Sequence, residues 1–365
     1  MGDSEHAAAT VDVPRPFLAS ARIEALARGQ MVSIYWRRNY FLSGLTSAII
    51  CILATASFAT HQKSATNGAK NSVEERTLTF PQSGSIGVLT LIPHHNFIGN
   101  EKAIGTAIGT VKAIVPKGSW LGLELNRQAV LHPKLLDSCS TIGVDALNIS
   151  FMSMEDGDVG WSDAALQHAN HFKSLKCLLL NKSDVSDQSV SGLRGLPDIE
   201  CISAFLTGIN GDCFKTFSQY KNLQYLICSE DPIRQENLRY LSECPRLSYV
   251  DLRRTELGEP GVKYLRRCPN ISTLRIGNNS KVNDACIKYL LNLRHLKSLG
   301  LENTAVTYSG LKALKPLNLQ ILSISEGACD GKDLPALKSL ATKIQFVPRL
   351  RVDRKMEQMF DPVHY

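Results

Sequence analysis

The chain has 365 residues, 44% hydrophobic, 21% charged and 7% aromatic, with a formal net charge of +7. The positive charge lies in short runs (Arg37-Arg38, Arg253-Arg254, Arg266-Arg267) and not in a cationic stripe interleaved with stacking aromatics, which argues against a nucleic-acid partner. Ten cysteines without a CxxC, and without a Cys/His set at zinc-finger spacing, argue against a disulfide-built fold or a zinc site.

Residues 1–40 read as a short cytosolic segment, with Leu18, Ile23 and Leu26 on one side of a helix over Pro16–Gly29. Residues 41–59 carry no charge and centre on Ala48-Ile-Ile-Cys-Ile-Leu53. As a helix they would extend roughly 28 Å, close to the hydrocarbon core of a bilayer. This predicts a single transmembrane helix. The small-x-small sites Ala54-Thr-Ala56 and Ser57-Phe-Ala59 fit a cleaved signal peptide, but the leader before the apolar core is long for one, so an uncleaved signal anchor is favoured. Arg28, Arg37 and Arg38 before the segment outnumber Lys63 and Lys70 after it, which places the N-terminus in the cytoplasm and the rest outside. Residues 60–76 read as a flexible linker. Residues 77–118 show no repeat phase; Ile86–Leu91 and Thr110–Val115 read as β, giving an N-terminal β cap closed by the Pro116-Lys-Gly118 turn.

From there the chain repeats. The pattern apolar-x-x-apolar-x-apolar recurs at Leu175/Leu178/Leu180, Ile199/Ile202/Ala204, Leu223/Leu226/Cys228, Leu247/Val250/Leu252, Ile271/Leu274/Ile276, Leu296/Leu299/Leu301 and Leu319/Leu322/Ile324, with steps of 24, 24, 24, 24, 25 and 23. Trp120/Leu123/Leu125 and Val144/Leu147/Ile149 extend it upstream, with an insertion around Glu155–Trp161. Ile344-Gln-Phe-Val347 reads as a last strand after a degenerate helix over Asp330–Ala341. After each strand come an apolar residue (Val185, Ile209, Ile233, Leu257, Val306) and a helix-capping turn such as Ser186-Asp187, Asn210-Gly211 or Asn283-Asp284. Apolar residues then return at helical spacing. Each unit is strand, turn and helix, and stacked units bury what one alone cannot. The expected fold is α/β: a solenoid over residues 119–350 with a parallel concave sheet and convex helices, then a tail at 351–365.

These units resemble leucine-rich repeats of the ribonuclease-inhibitor and cysteine-containing types. Cys244-Pro-x-Leu-x-x-Val-x-Leu252 and Cys268-Pro-x-Ile-x-x-Leu-x-Ile276 are similar to the signature of the second, and Thr304–Leu311 resembles bacterial arrays. The resemblance implies the fold strongly and the function weakly, because the fold hosts inhibitors, receptors, scaffolds and ubiquitin-ligase substrate receptors.

No phosphate-binding Gly loop, HExxH or GxSxG occurs. His94-His95 reads as a surface pair, and Glu155, Asp156 and Asp158 as a solvated acidic loop too sparse for calcium. Cys177 and Cys201 share a repeat position on adjacent strands, within reach of a bridge but more simply neighbours. Asn148, Asn181, Asn270 and Asn278 stand in glycosylation sequons that would count only in a eukaryotic secretory setting. The reading is a non-enzyme with no cofactor, metal or small-molecule substrate.

Alternation along each strand sends the third, fifth and seventh positions to the concave face. Phe205, Tyr225, Ile227 and Tyr249 then form an aromatic and apolar cluster over three rungs, and Asp251, Arg253 and Arg275 a charged margin, a composition typical of interface hot spots. The expected function is a membrane-anchored, single-pass protein-interaction module that binds a partner protein there. The alternative is a soluble adaptor such as a ubiquitin-ligase substrate receptor; residues 1–76 lack the helical trio that it would require.

Overall fold

The structure, a computed structural model, describes residues 72–94, 99–150, 160–329 and 333–348. The chain divides into two compact units, 1–66 and 67–365, and every described residue belongs to the second. The segment 1–40 expected in the cytosol, the apolar span 41–59, His95, the acidic stretch at Glu155, Asp156 and Asp158, and the expected tail 351–365 lie outside the described residues. Among those described, no helix is long and apolar enough to cross a membrane.

The chain enters through five strands: β1 (Val73–Thr79), β2 (Gly87–Pro93), β3 (Lys102–Thr106), β4 (Thr110–Pro116) and β5 (Ser119–Leu125). β1 begins inside the stretch expected as linker and pairs antiparallel with β4 in a separate two-stranded sheet. β2 lies between β3 and β5, antiparallel to both. β3 lies between the two segments read as β from the sequence, and a bulge at Leu89/Thr90 breaks its register with β2.

Each rung then adds one parallel strand beside the last. They are β6 (Ala146–Asn148), β7 (Cys177–Leu179), β8 (Cys201–Ser203), β9 (Tyr225–Ile227), β10 (Tyr249–Asp251), β11 (Thr273–Arg275), β12 (Ser298–Gly300), β13 (Leu319–Ser325) and β14 (Ala341–Val347). The twelve-stranded sheet runs β14 to β5 in chain order, then β2 and β3. Register matches repeat phase: Tyr249 sits beside Tyr225 and Thr273, Asp251 beside Ile227 and Arg275. All seven apolar triplets lie in one continuous core.

One phase differs from expectation. Trp120 was matched to the first core position, yet Leu121, Leu123 and Leu125 fill the core, and Trp120 packs on the opposite sheet face. The cause is strand length. In the three-residue strands the first core residue precedes the strand, so strict alternation does not apply to it. β5 is extended over seven residues against β2, and alternation sends residue 120 outward.

The wall behind the sheet is thinner than an all-α reading. Short α-helices (α1 Arg127–Leu131, α2 Trp161–His168, α3 Asp187–Gly192, α4 Glu259–Leu265, α5 Ile287–Leu290, α6 Tyr308–Ala313, α7 Leu334–Leu337) alternate with 3-10 turns at Asp212–Gln219 and Gln235–Glu243. A 24-residue unit leaves room for little more than two turns after its strand and two loops. Ser186 caps α3, accepting from Ser189 N, and Thr307 caps α6, accepting from Gly310 N.

A second capping system links neighbouring units. Asp187 accepts from Asn210 N at 2.7 Å and Cys213 N at 2.9 Å, one unit on. Gln235 does the same for Gly258 N and Gly261 N, both 3.0 Å, and Asp284 for Thr307 N at 2.8 Å. Asp163 accepts from Ser186 N at 2.6 Å. Each of these side chains reaches a helix start in the following rung, so donors left free by one helix are satisfied by its neighbour.

Beyond each of β7–β12, the chain turns through a left-handed residue: Lys182, Leu206, Glu230, Arg254, Asn278 and Asn303, with φ between +53° and +63°. The next residue ties the turn. Ser183, Thr207, Thr255 and Thr304 donate to the carbonyl three residues back, and Asn279 donates to Ile276 O.

Candidate functional site

The sheet face opposite the core carries a second apolar layer. Ile92 and Trp120 from the cap, Ala146, Cys177, Leu179, Cys201 and Ile227 are buried in it, with Phe205, Tyr225 and Tyr249 packed against them. The sequence placed Phe205, Tyr225, Ile227 and Tyr249 together, and all four meet here. Their exposure differs from expectation: Ile227 is 3% exposed, and Phe205, Tyr225 and Tyr249 are half-buried. Side chains on adjacent rungs stack at strand spacing, and the aromatics cover the smaller residues beside them. The Tyr225 and Tyr249 rings lie 6.0 Å apart at 41°, and Lys182 Nζ sits 6.0 Å above the Phe205 ring. Burial raises the Tyr225 hydroxyl above its ordinary range, with the nearby Cys201 and Glu200 adding to it.

The charged margin is an ion-pair cluster. Asp251, 1% exposed, is gripped by Arg253 through Nε at 2.9 and 3.1 Å and Nη2 at 2.7 Å. Arg275 Nη1 stands 3.7 Å from Asp251 and 3.4 Å from the Tyr249 hydroxyl. Burial alone would push the Asp251 carboxyl up, but Arg253 and Arg275 outweigh it and hold the group below its ordinary range. The tyrosines and the cluster are therefore one surface, joined through Tyr249 and Arg275.

The face extends beyond these residues at both ends, and at the cap end through a residue that the sequence did not assign to it. His94, read as a surface histidine, is half-buried; its Nε2 lies 2.8 Å from Glu200 Oε2, and its ring meets Trp120 edge-on at 4.6 Å. This contact ties the cap to the third strand of the array. The strict alternation of β5, had it been applied to Trp120, would have found this end. At the other end Glu302, which alternation sends to this face from the seventh position of its rung, is buried.

Cys177 and Cys201 are neighbours with free thiols, and burial, then the adjacent Cys177, pushes Cys201 well above its ordinary value. Cys244 and Cys268 are buried at the wall position read from the repeat, and burial pushes both up to about 12. These are packing thiols, poorly ionised and poor nucleophiles. Among the described residues, no group of three His, Cys, Asp or Glu side chains is placed to hold a metal. Of the sequons, Asn181 accepts from Ser203 Oγ and Phe205 N, and Asn270 Nδ2 donates to Pro245 O at 2.7 Å.

The rungs, their register and their single core define the class: a leucine-rich-repeat solenoid closed by an N-terminal β cap. No protein-family model matches the chain, and no curated protein matches it. Among solved structures, an internalin from Listeria monocytogenes aligns over 61% of this chain and 66% of its own, at 16% identity and a TM-score of 0.44. The chain thus spans just under two thirds of that internalin's length.

Proposed function

We propose that this chain is a non-catalytic protein-binding module, and that Phe205, Tyr225, Ile227, Tyr249, Asp251, Arg253 and Arg275 carry the interface. The observation that carries the reading is the continuity of the aromatic layer with the arginine cluster on one sheet face. Buried aromatic area supplies affinity, and a fixed charge pattern at its edge supplies partner discrimination. The module is held at a membrane by residues 41–59, with the repeats beyond the cytoplasm. The length and apolarity of that segment, with the arginines before it, support this part.

A photo-crosslinking amino acid at Tyr249, with a control at Tyr264 on the wall, tests the interface in intact cells. A discrete adduct from 249 and none from 264 is expected. The reverse pattern would move the interface to the wall. Protease digestion of a C-terminal tag on intact cells tests the topology: loss of the tag is expected, and a protected tag in the soluble fraction would favour the adaptor reading.

A further inference from the structure

Arg253 claims Asp251 and leaves Arg275 only long contacts, 3.7 Å to the carboxylate and 3.4 Å to a hydroxyl. A guanidinium presents five N–H donors in a rigid fork. Among the described residues Asp251 is the only carboxylate within ion-pair range of Arg275, so most of the fork has no protein acceptor. Yet only 12% of the Arg275 side chain is exposed.

Glu302, two residues beyond β12, folds its side chain back across two glycines. A Cβ at Gly277 would collide with Glu302 Cδ, and one at Gly300 would stand 3.0 Å from Glu302 Oε2 and 3.6 Å from Arg275 Cα. These glycines are the gap in the concave columns that the folded-back carboxyl occupies. Glu302 is 5% exposed, and its Oε2 is buried without a hydrogen-bond partner among the described residues. An arginine fork with spare donors and a buried carboxyl with a spare oxygen therefore share one end of the face, close enough to feel each other's charge and without pairing.

We propose that Arg275 and Glu302 form a receptor for one carboxylate of the partner protein, an Asp or Glu side chain laid across β11 and β12. This rests on the binding reading above and names the chemistry that the interface selects. The fork of Arg275 matches a carboxylate in two parallel bonds. Burial raises the Glu302 carboxyl above its ordinary range, against the pull of Arg275 and Arg253, and in its protonated form it donates one more. Asp251, Arg253 and Arg275 sum to one positive charge, and an incoming carboxylate that takes the Arg275 fork while Glu302 binds a proton leaves the group balanced. An ammonium would meet that charge with its own sign, and a carboxamide would leave it uncompensated. Phe205 lies three rungs from Arg275, about 14 Å at the strand spacing of a sheet. An extended peptide covers that distance in about four residues. The partner motif is an acidic residue roughly four positions from an apolar one.

A random heptapeptide library displayed on phage and panned on the full-length chain reads the motif directly. Enriched peptides should carry Asp or Glu about four positions from an apolar residue. Replacing that acid by Asn in a fluorescein-labelled synthetic copy should weaken binding about tenfold or more. Arg275→Gln should abolish the distinction between the acidic peptide and its Asn copy. Should Arg275→Gln fail to fold, Arg275→Lys, which keeps the charge beside Asp251 and loses the fork, decides: acid selectivity should fall by at least about threefold. Acid selectivity that survives both variants, or enrichment of amide or basic peptides, overturns the proposal and leaves binding at this face intact. No enrichment above a Tyr225→Ala/Tyr249→Ala double variant overturns the binding reading along with it.

Discussion

Asp231 occupies the turn position that Ser183, Thr207, Thr255, Asn279 and Thr304 fill in the other rungs. Each of those donates to the carbonyl three residues back. Asp231 copies half of the Asn279 arrangement: its Oδ1 accepts from Thr207 N at 2.8 Å, as Asn279 Oδ1 accepts from Thr255 N at 2.9 Å. The other half is missing. Asn279 Nδ2 donates to three carbonyls, whereas Asp231 Oδ2 is buried and unpartnered among the described residues. Burial pushes the Asp231 carboxyl well above its ordinary value, against the pull of the Gly208 and Thr207 donors. The folded protein therefore holds this group neutral where the unfolded chain would ionise it, near pH ~3.9. Stability attached to the group is fully present below that pH. It falls as pH rises through the interval up to the folded value, and is constant above it. Asp231→Asn replaces the reluctant acid with a permanent donor. At neutral pH it should stabilise by about 1–3 kcal/mol, the cost of a buried polar group left unmatched. For a domain of this size that is a rise in Tm of about 2–6 °C. Thermal and urea unfolding of the full chain, wild type against Asp231→Asn, should show curves that coincide near pH 4 and separate as pH rises. A variant that is less stable at pH 7, or a gap independent of pH between 4 and 8, would refute the assignment.

Asp187→Ala removes the acceptor for two backbone donors of the next unit and should cost about 1–3 kcal/mol in urea unfolding, more than Asp187→Asn, which keeps one oxygen. Leu206 holds φ at +55°, where a β-branched side chain is least tolerated and asparagine is among the best tolerated after glycine; Leu206→Asn should raise Tm by about 1–2 °C and Leu206→Val should lower it, and equal values for the two would deny strain at this turn. Asp145, 2% exposed, accepts from Leu121 N at 2.9 Å and is paired with Arg76 and Lys176. Arg76→Gln should therefore loosen β1 and β4 in hydrogen exchange by about 1–3 kcal/mol while β9–β12 keep their protection; uniform loss along the array would mean that the cap and the rungs open as one unit.

The array was legible because its signal is repeated. One apolar triplet fits many structures, but seven in phase fix strand direction, register and core side together, and the core holds every residue of those triplets. The wall apolar positions were legible for the same reason: Leu238/Leu241, Val262/Leu265 and Leu311/Leu314 all enter that core. What escaped detection depends on contacts between rungs and not on patterns within one. The left-handed column contains Lys182, Leu206, Glu230 and Arg254, residues with no preference for that backbone region, so composition hides a turn that two asparagines alone would have marked. Asp187 and Asp284 read as part of the capping turns of their own helices; that they, and Gln235 with them, serve the next unit follows only from stacking.

The concave residues show the same division. Alternation correctly grouped Tyr225, Ile227 and Tyr249 and set Asp251 beside Arg275, because those relations follow from strand period and a 24-residue step. It could not assign burial. A side chain on a sheet face is open or closed according to the bulk of its neighbours on adjacent rungs, and the columns mix Tyr, Phe and Arg with Cys, Ser and Gly. Asp251 is enclosed because arginines flank it from its own strand and the next. Glu302 is enclosed because glycines at 277 and 300 leave it a cradle. The small residues in the columns therefore matter as much as the aromatics: they decide which charged groups lie down against the sheet, and so which of their hydrogen-bonding atoms remain to meet a partner.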